Sequence, residues 1–381
     1  MSVPALRFND DDGKEFPEWE EKTLGETVTI RSGISPSSYP LSTFDTYPFL
    51  KVEDLNNCFK YQEKSREYSS SNKNLVPKNS IIFPKRGAAI LNNKVRVVRA
   101  EVLMDSNLMA LTPHNGQIHF EFLYYKLFKE QLFKIADTSS IPQINNKHIL
   151  PYIVYLPSLP EQTKIANFLT AVDEKITLLT QKADLLSQYK KGVMQQIFKQ
   201  ELRFKDDDGQ DFPEWEEKKL GDIADITTGN SNRIDSTIGD GAYTFFDRSQ
   251  DIRTSDIYLF DCEAVIVAGE GQEFIPKHFI GKFDLHQRTY AIIKFKSASG
   301  KYLFYYIHNF RYYFLSQAVG STVKSLRLPM FQQMPIQLPS LPEQTKIANF
   351  FTAVDEKITN NQTQLNAVKQ YKQGLLQQMF V

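Results

Sequence analysis

Two polar stretches of the 381-residue chain carry side chains suited to reading nucleic-acid bases or gripping phosphates. TSSIPQINNKH (Thr138 to His148) offers Ser139, Ser140, Gln143, Asn145, Asn146 and Lys147, and GSTVKSLRLPM (Gly320 to Met330) offers Ser321, Thr322, Lys324, Ser325 and Arg327. Asn and Gln match adenine edges, Arg and Lys match guanine or phosphate, and hydroxyls match either. A second pair of polar loops, RSGISPSS (Arg31 to Ser38) and TTGNSNR (Thr227 to Arg233), adds Asn230, Asn232 and Arg233. Gly87 follows Lys85 and Arg86, and Gly269 and Gly271 flank Glu270; at such glycines backbone can approach a ligand closely. Each position also fits ordinary turn chemistry, where the same residue types prevail.

The charge pattern supports an anionic partner locally, not globally. Formal net charge is zero with 24% charged residues. Basic residues nonetheless cluster. Lys60, Lys64, Arg66, Lys73, Lys78, Lys85, Arg86, Lys94, Arg96 and Arg99 face only Glu63 and Glu67 within their span. Lys277, Lys282, Arg288, Lys294, Lys296, Lys301, Arg311, Lys324 and Arg327 face only Asp284. Each run suits a phosphate-tracking face, and equally a solvated surface with acidic partners from elsewhere in its domain.

Catalytic constellations are missing. There is no [DNS]PP[YFW] motif of adenine methylation, and GKE, GKF and GKY lack the Ser or Thr of a phosphate loop. The six histidines show no metal-ligand spacing. No catalytic residue, metal site or cofactor of its own is expected. Cys58 and Cys262 occupy non-corresponding places and read as reduced thiols of a cytoplasmic protein. The polar, acidic MSVPALRFNDDDG start is unlike a signal peptide, and no membrane partner is expected.

The elements that must position these loops are written twice. LPSLPEQTKIANFLTAVDEKIT (Leu156 to Thr177) returns at Leu338 to Thr359 with one change, Leu169 against Phe351. LRFNDDDGKEFPEWEEKTLG (Leu6 to Gly25) returns as LRFKDDDGQDFPEWEEKKLG (Leu202 to Gly221). The periods are 182 and 196 residues, so the first insert is 14 residues longer, and the pattern means a duplicated domain. Between the copies, roughly Glu26 to Tyr155 and Asp222 to Gln337, only scattered residues agree. Within these inserts Ser80 to Gly87, Lys94 to Met104, EAVIVAGEG and Tyr290 to Lys296 read as strands. FEFLYYKLFKEQLFKI and GKYLFYYIHNFRYYFLSQA read as helices, making each insert a mixed α/β globule.

After Pro160, apolar residues recur at alternating steps of four and three: Ile165, Leu169, Val172, Ile176, Leu179, Ala183 and Leu186, then Lys190, Val193 and Ile197. The copy gives Ile347, Phe351, Val354, Ile358, Asn361, Leu365, Val368, Lys372, Leu375 and Met379. Such a heptad seam predicts two long helices that pair with each other, each reaching on the order of 55–60 Å at 1.5 Å per residue. Packing of each helix on its own insert is the competing expectation. Asn361, where the first copy has Leu179, is a polar seam residue able to fix register.

These blocks and their order resemble the specificity subunit of type I restriction-modification systems over the whole chain. The resemblance implies an α/β fold: two globular target-recognition domains separated by two long helices, which pair as an antiparallel coiled coil with a pseudo-twofold internal duplication. The domains then run as follows: a copied segment over 1–17 (echoed at 197–213), recognition domains over 18–155 and 214–337, helical spacers over 156–200 and 338–381, and a linker over 201–213. It further implies a bipartite double-stranded DNA target, with one half read by each domain. The implied partners are two adenine-N6 methyltransferase subunits and motor-nuclease subunits, which would carry the S-adenosylmethionine, ATP and Mg. Two other classes stay open on residues alone: a scaffold whose inserts grip protein partners, and an orphan nuclease or fused methyltransferase, disfavoured by the missing motifs.

Overall fold

The computed structural model describes residues 4–137, 141–232, 240–249 and 253–380. The chain forms two compact units, Met1–Thr180 with Thr363–Val381, and Gln181–Gln362.

In the first unit a five-stranded sheet takes the order 28–32, 108–113, 81–84, 96–98, 61–62, beside a three-stranded sheet of 67–69, 47–50 and 103–104. The Lys94 to Met104 run therefore splits in two, because Val97 and Val98 serve one sheet and Leu103 and Met104 the other. Helix α1 (Phe120–Glu130) buries Phe122, Leu123, Tyr124, Tyr125 and Leu127, and ends where Gln131 turns left-handed at φ 58°. Helix α2 (Leu159–Phe198) follows the last strand, Ile153–Leu156, which pairs antiparallel with Glu20–Thr23.

The second unit repeats the plan. Its six-stranded sheet takes the order 225–228, 289–293, 260–268, 277–285, 243–246, 253–255. Helix α3 (Gly300–Asn309) corresponds to α1, and helix α4 (Leu341–Met379) follows Pro335–Leu338, paired antiparallel with Glu216–Lys219.

Antiparallel pairing of α2 and α4 is visible inside each unit. In the first, Ile165, Leu169, Val172, Ile176 and Leu179 share one core with Leu365, Leu375, Leu376 and Met379, and Val368 packs at its edge. In the second, Met194, Ile197 and Phe198 share a core with Ile347 and Phe351, while Val354 is also buried. Two ion pairs mark the register: Lys372 to Asp173 at 2.6 Å in the first unit, and Lys190 to Asp355 at 2.5 Å in the second. Each pair is the other's copy with the helices exchanged, as the internal duplication requires. The seam is less uniform than its heptads suggest. Ile165 and Leu169 also pack in the core that holds α1, so helix pairing and packing on the insert hold together. Leu186 and Ile358, farther along, are only half-buried.

Candidate nucleic-acid interface

The copied residues make contacts that do not depend on what the insert contains. In the first unit Arg7 donates two hydrogen bonds to the fully buried Glu161, at 2.9 and 2.7 Å, and two more to the carbonyls of Phe16 and Pro17. In the second, Arg203 repeats this on Glu343 at 3.2 and 2.9 Å and on the Phe212 and Pro213 carbonyls. The next residue clamps the insert itself. Gln162 Oε1 accepts from the His119 amide just ahead of α1, and Gln344 Oε1 accepts from the Ser299 amide just ahead of α3, both at 2.8 Å. Backbone is what these glutamines hold. A divergent insert can be mounted without altering the frame.

Four loops then converge at one end of each sheet, and matching backbone hydrogen bonds equate them between the units. In the first, the Lys85 amide donates to the Asn107 carbonyl at 2.8 Å, and the Ile144 amide to the Lys85 carbonyl at 2.9 Å. In the second, Gly269 donates to Arg288 at 2.9 Å and Leu326 to Gly269 at 2.7 Å. The glycine-bearing loop lies across the same strand end in each: a Cβ on Gly33 would meet the Asp105 carbonyl oxygen at 1.9 Å, and one on Gly229 the Leu285 oxygen at 1.7 Å. Only glycine permits that approach. Ser231 is fastened there by its hydroxyl on the buried Asp284 at 2.7 Å.

In the first unit this geometry gathers Lys85, Arg86 and Gln143, with Arg86 and Gln143 bridged across a two-stranded ribbon. Burial pushes the Lys85 ammonium's pKa down, and neighbouring Arg86 adds to it; an anion close by would offset the repulsion from Arg86. Asn145, Asn146 and Lys147 are exposed beside it, though not on a plain loop, since Asn145 caps the short helix Asn146–Ile149. In the second unit Lys324 and Ser325 pair with Gly271 and Glu270 in the equivalent ribbon, and Arg327 occupies the N-cap position of Leu328–Gln332. Ser321 and Thr322 are exposed at the ribbon's turn, and Thr322 lines a 340 Å³ cleft with Arg248 and Glu270. Asn230 and Asn232 are exposed on the glycine-bearing loop, with Asn232 accepting from Gln287 at 2.7 Å. Lys277 stands off at the rim, its ammonium donating to the Ser249 carbonyl at 2.8 Å. Ser139, Ser140 and Arg233 lie outside the described residues.

Part of the first basic run is taken up by the fold itself. Lys60 is buried, donating to Thr170 and Tyr125 and paired with Glu121 at 3.3 Å, so it supports the domain–helix junction. Arg96 donates to the carbonyls of Leu55 and Val95, Arg99 stacks on the Tyr61 ring at 3.7 Å, and Arg66 is committed to Glu53 and Asp54. Sequence order put these charges together, whereas in the fold each is engaged by groups of its own unit. The turn Asp105–Asn107 and its counterpart His286–Arg288 belong to the loop cluster but escaped motif reading, Arg288 being counted only as one charge in a run. Their signal was a three-residue polar break, DSN or HQR, between two apolar strands.

Among the described residues no group of three or more His, Cys, Asp or Glu side chains could hold a metal, and no helix is long and apolar enough to cross a membrane. The profile of the family described as "Type I restriction modification DNA specificity domain" matches residues 17–188 and again 213–370. The chain is 23% identical to the type I restriction enzyme MjaIX specificity subunit of Methanocaldococcus jannaschii, with 96% of this chain and 93% of that protein aligned. Over a shorter stretch it is 28% identical to the EcoDI specificity subunit of Escherichia coli, covering 43% of this chain and 37% of the relative. The crystal structure of the S subunit from M. genitalium matches with a TM-score of 0.67 at 14% identity, covering 100% of this chain and 99% of that one. A chain solved in work on complex assembly and conformational transition of the type I R-M system matches at a TM-score of 0.59 with 15% identity, covering 96% and 98%. With a duplicated frame, two divergent loop clusters and a family match to each half, this chain belongs to the specificity subunits of type I restriction-modification systems.

Proposed function

We propose that the chain confers DNA sequence specificity on a type I restriction-modification complex, its two units reading the two halves of a split duplex target. The observation that carries this reading is the pair of equivalent loop clusters with different side chains: Lys85, Arg86, Asn107 and Gln143 in one, Gly269, Glu270, Arg288 and Ser325 in the other. Identical mounts with different readers suit an asymmetric bipartite site. Phosphate contacts from the lysines supply affinity, while Asn, Gln and Arg projecting into the major groove supply discrimination. The paired helices hold the two halves at a fixed spacing. Methylation and cleavage belong to two adenine-N6 methyltransferase subunits and to motor-nuclease subunits, which bring S-adenosylmethionine, ATP and Mg; this chain adds no catalytic step.

Sequencing the methylated adenines of a host that expresses the chain with its methyltransferase tests the reading. The expected motif is two specific blocks separated by a constant number of unspecified bases. A contiguous motif, or none, would overturn it in favour of a scaffold for protein partners.

A further inference from the structure

We propose that Arg288 is a specificity-determining residue of the second unit, a guanine reader held in position by Glu270. The inference rests on the DNA-reading function above and adds a residue and a base to it.

The two ribbons differ in sign at the same place. Arg86, bridged to Gln143 in the first unit, is matched in the second by Glu270, paired with Ser325. A carboxylate on a surface facing phosphates is repelled unless it is engaged. Glu270 is engaged: Arg288 Nη1 lies 2.7 Å from one carboxylate oxygen and Arg248 Nη1 3.9 Å from the other. The Glu270 side chain is 19% exposed and that of Arg288 is 64% exposed, so the acid sits beneath and the guanidinium projects. Such a surface ion pair contributes little to holding a fold. Its consequence is orientation.

The backbone beneath is fixed as well. The Arg288 carbonyl accepts from the Gly269 amide at 2.9 Å, and the Arg288 amide donates to His286 Nδ1 at 3.1 Å. A Cβ on Gly269 would meet the Arg288 carbonyl oxygen at 2.5 Å, so the ribbon is pressed onto this turn. A guanidinium presents five N–H donors in a rigid fork; a single contact to Glu270 leaves the fork able to meet guanine O6 and N7 together. Holding the side chain in advance lowers the ordering cost of binding. In the first unit the equivalent position is Asn107, whose amide matches adenine instead. One structural position thus carries a different base preference in each half of the molecule.

The test uses the full-length chain in complex with its methyltransferase, probed with duplexes that vary the wild-type motif one base pair at a time. Arg288→Gln should lower discrimination at a single guanine of one half-site by roughly tenfold or more, leaving the other half-site as in wild type. Arg288→Lys keeps the charge but not the fork and should fail at the same base. Glu270→Gln should lose part of the discrimination there, with Glu270→Asp restoring some of it; a merely structural role would weaken every position alike. Uniform weakening in the Arg288 variants marks a phosphate contact and overturns the proposal, as does an unchanged motif or loss of binding at both half-sites. Failure of the broader reading is distinguishable, because the wild-type complex would then yield no split motif at all.

Discussion

Glu161 and Glu343 are carboxylates without exposure, each paired with one arginine 154 or 140 residues away in sequence, and Glu343 also accepts from Trp215 Nε1 at 3.0 Å. Removing that arginine strands a buried charge, which costs about 3–5 kcal/mol. Arg7→Ala should therefore destabilise the first unit by about that much, and Arg203→Ala the second, measured by denaturant unfolding of the full chain. A loss below about 1 kcal/mol would show that the clamp is decorative. Lys85 makes a different kind of prediction: as a phosphate contact, Lys85→Ala should weaken binding to all duplexes and reduce the salt slope by about one. A change confined to one base position would make it a base reader. Which residues cluster was partly legible beforehand. Gln143 and Ser325, like Lys324 and Arg327, sit at a countable distance from the copied LPEQ block, so their equivalence could be read directly. Asn107 and Arg288 could not be matched by counting, because the inserts differ by 14 residues and only backbone hydrogen bonds equate the two turns.

At the scale of elements, the proposed measuring role falls to the 40-residue α2 and 39-residue α4. Their heptads were plain in the sequence because spacing alone encodes a seam. What spacing could not reveal was the double duty of Ile165 and Leu169, since packing against α1 and against the opposing helix calls for the same apolar residue types. The lysines at seam positions also found their reason only in three dimensions. Lys372 is buried against Asp173 and ringed by Phe59, Tyr125 and Phe128, and Lys190 meets Asp355. Because these copied pairs lock the register, a heptad inserted into one helix alone should disrupt pairing. Seven residues inserted at equivalent points of both, within 184–193 and 366–375, should lengthen the unspecified spacer by about 10 Å, or about three base pairs. Motif sequencing reads the spacer directly. A spacer of unchanged length would remove the helices from the measuring role.

For the whole molecule, the division of labour follows from where contacts are made. The frame holds each insert through backbone groups, the His119 and Ser299 amides and the short strand pairs at 20–23 and 216–219, and through a tyrosine present in both inserts, Tyr125 on Asp173 and Tyr305 on Asp355, so exchange for an insert that keeps this tyrosine should leave the mount intact. On the proposed function, sequence specificity is then modular, with each half of the target assigned to one insert. The most direct measurement is the methylated motif of a host carrying the chain with residues 26–155 replaced by the corresponding insert of another family member. The expected motif keeps one half-site and the spacer unchanged and acquires a new second half. A motif altered in both halves would contradict the modular reading at its root.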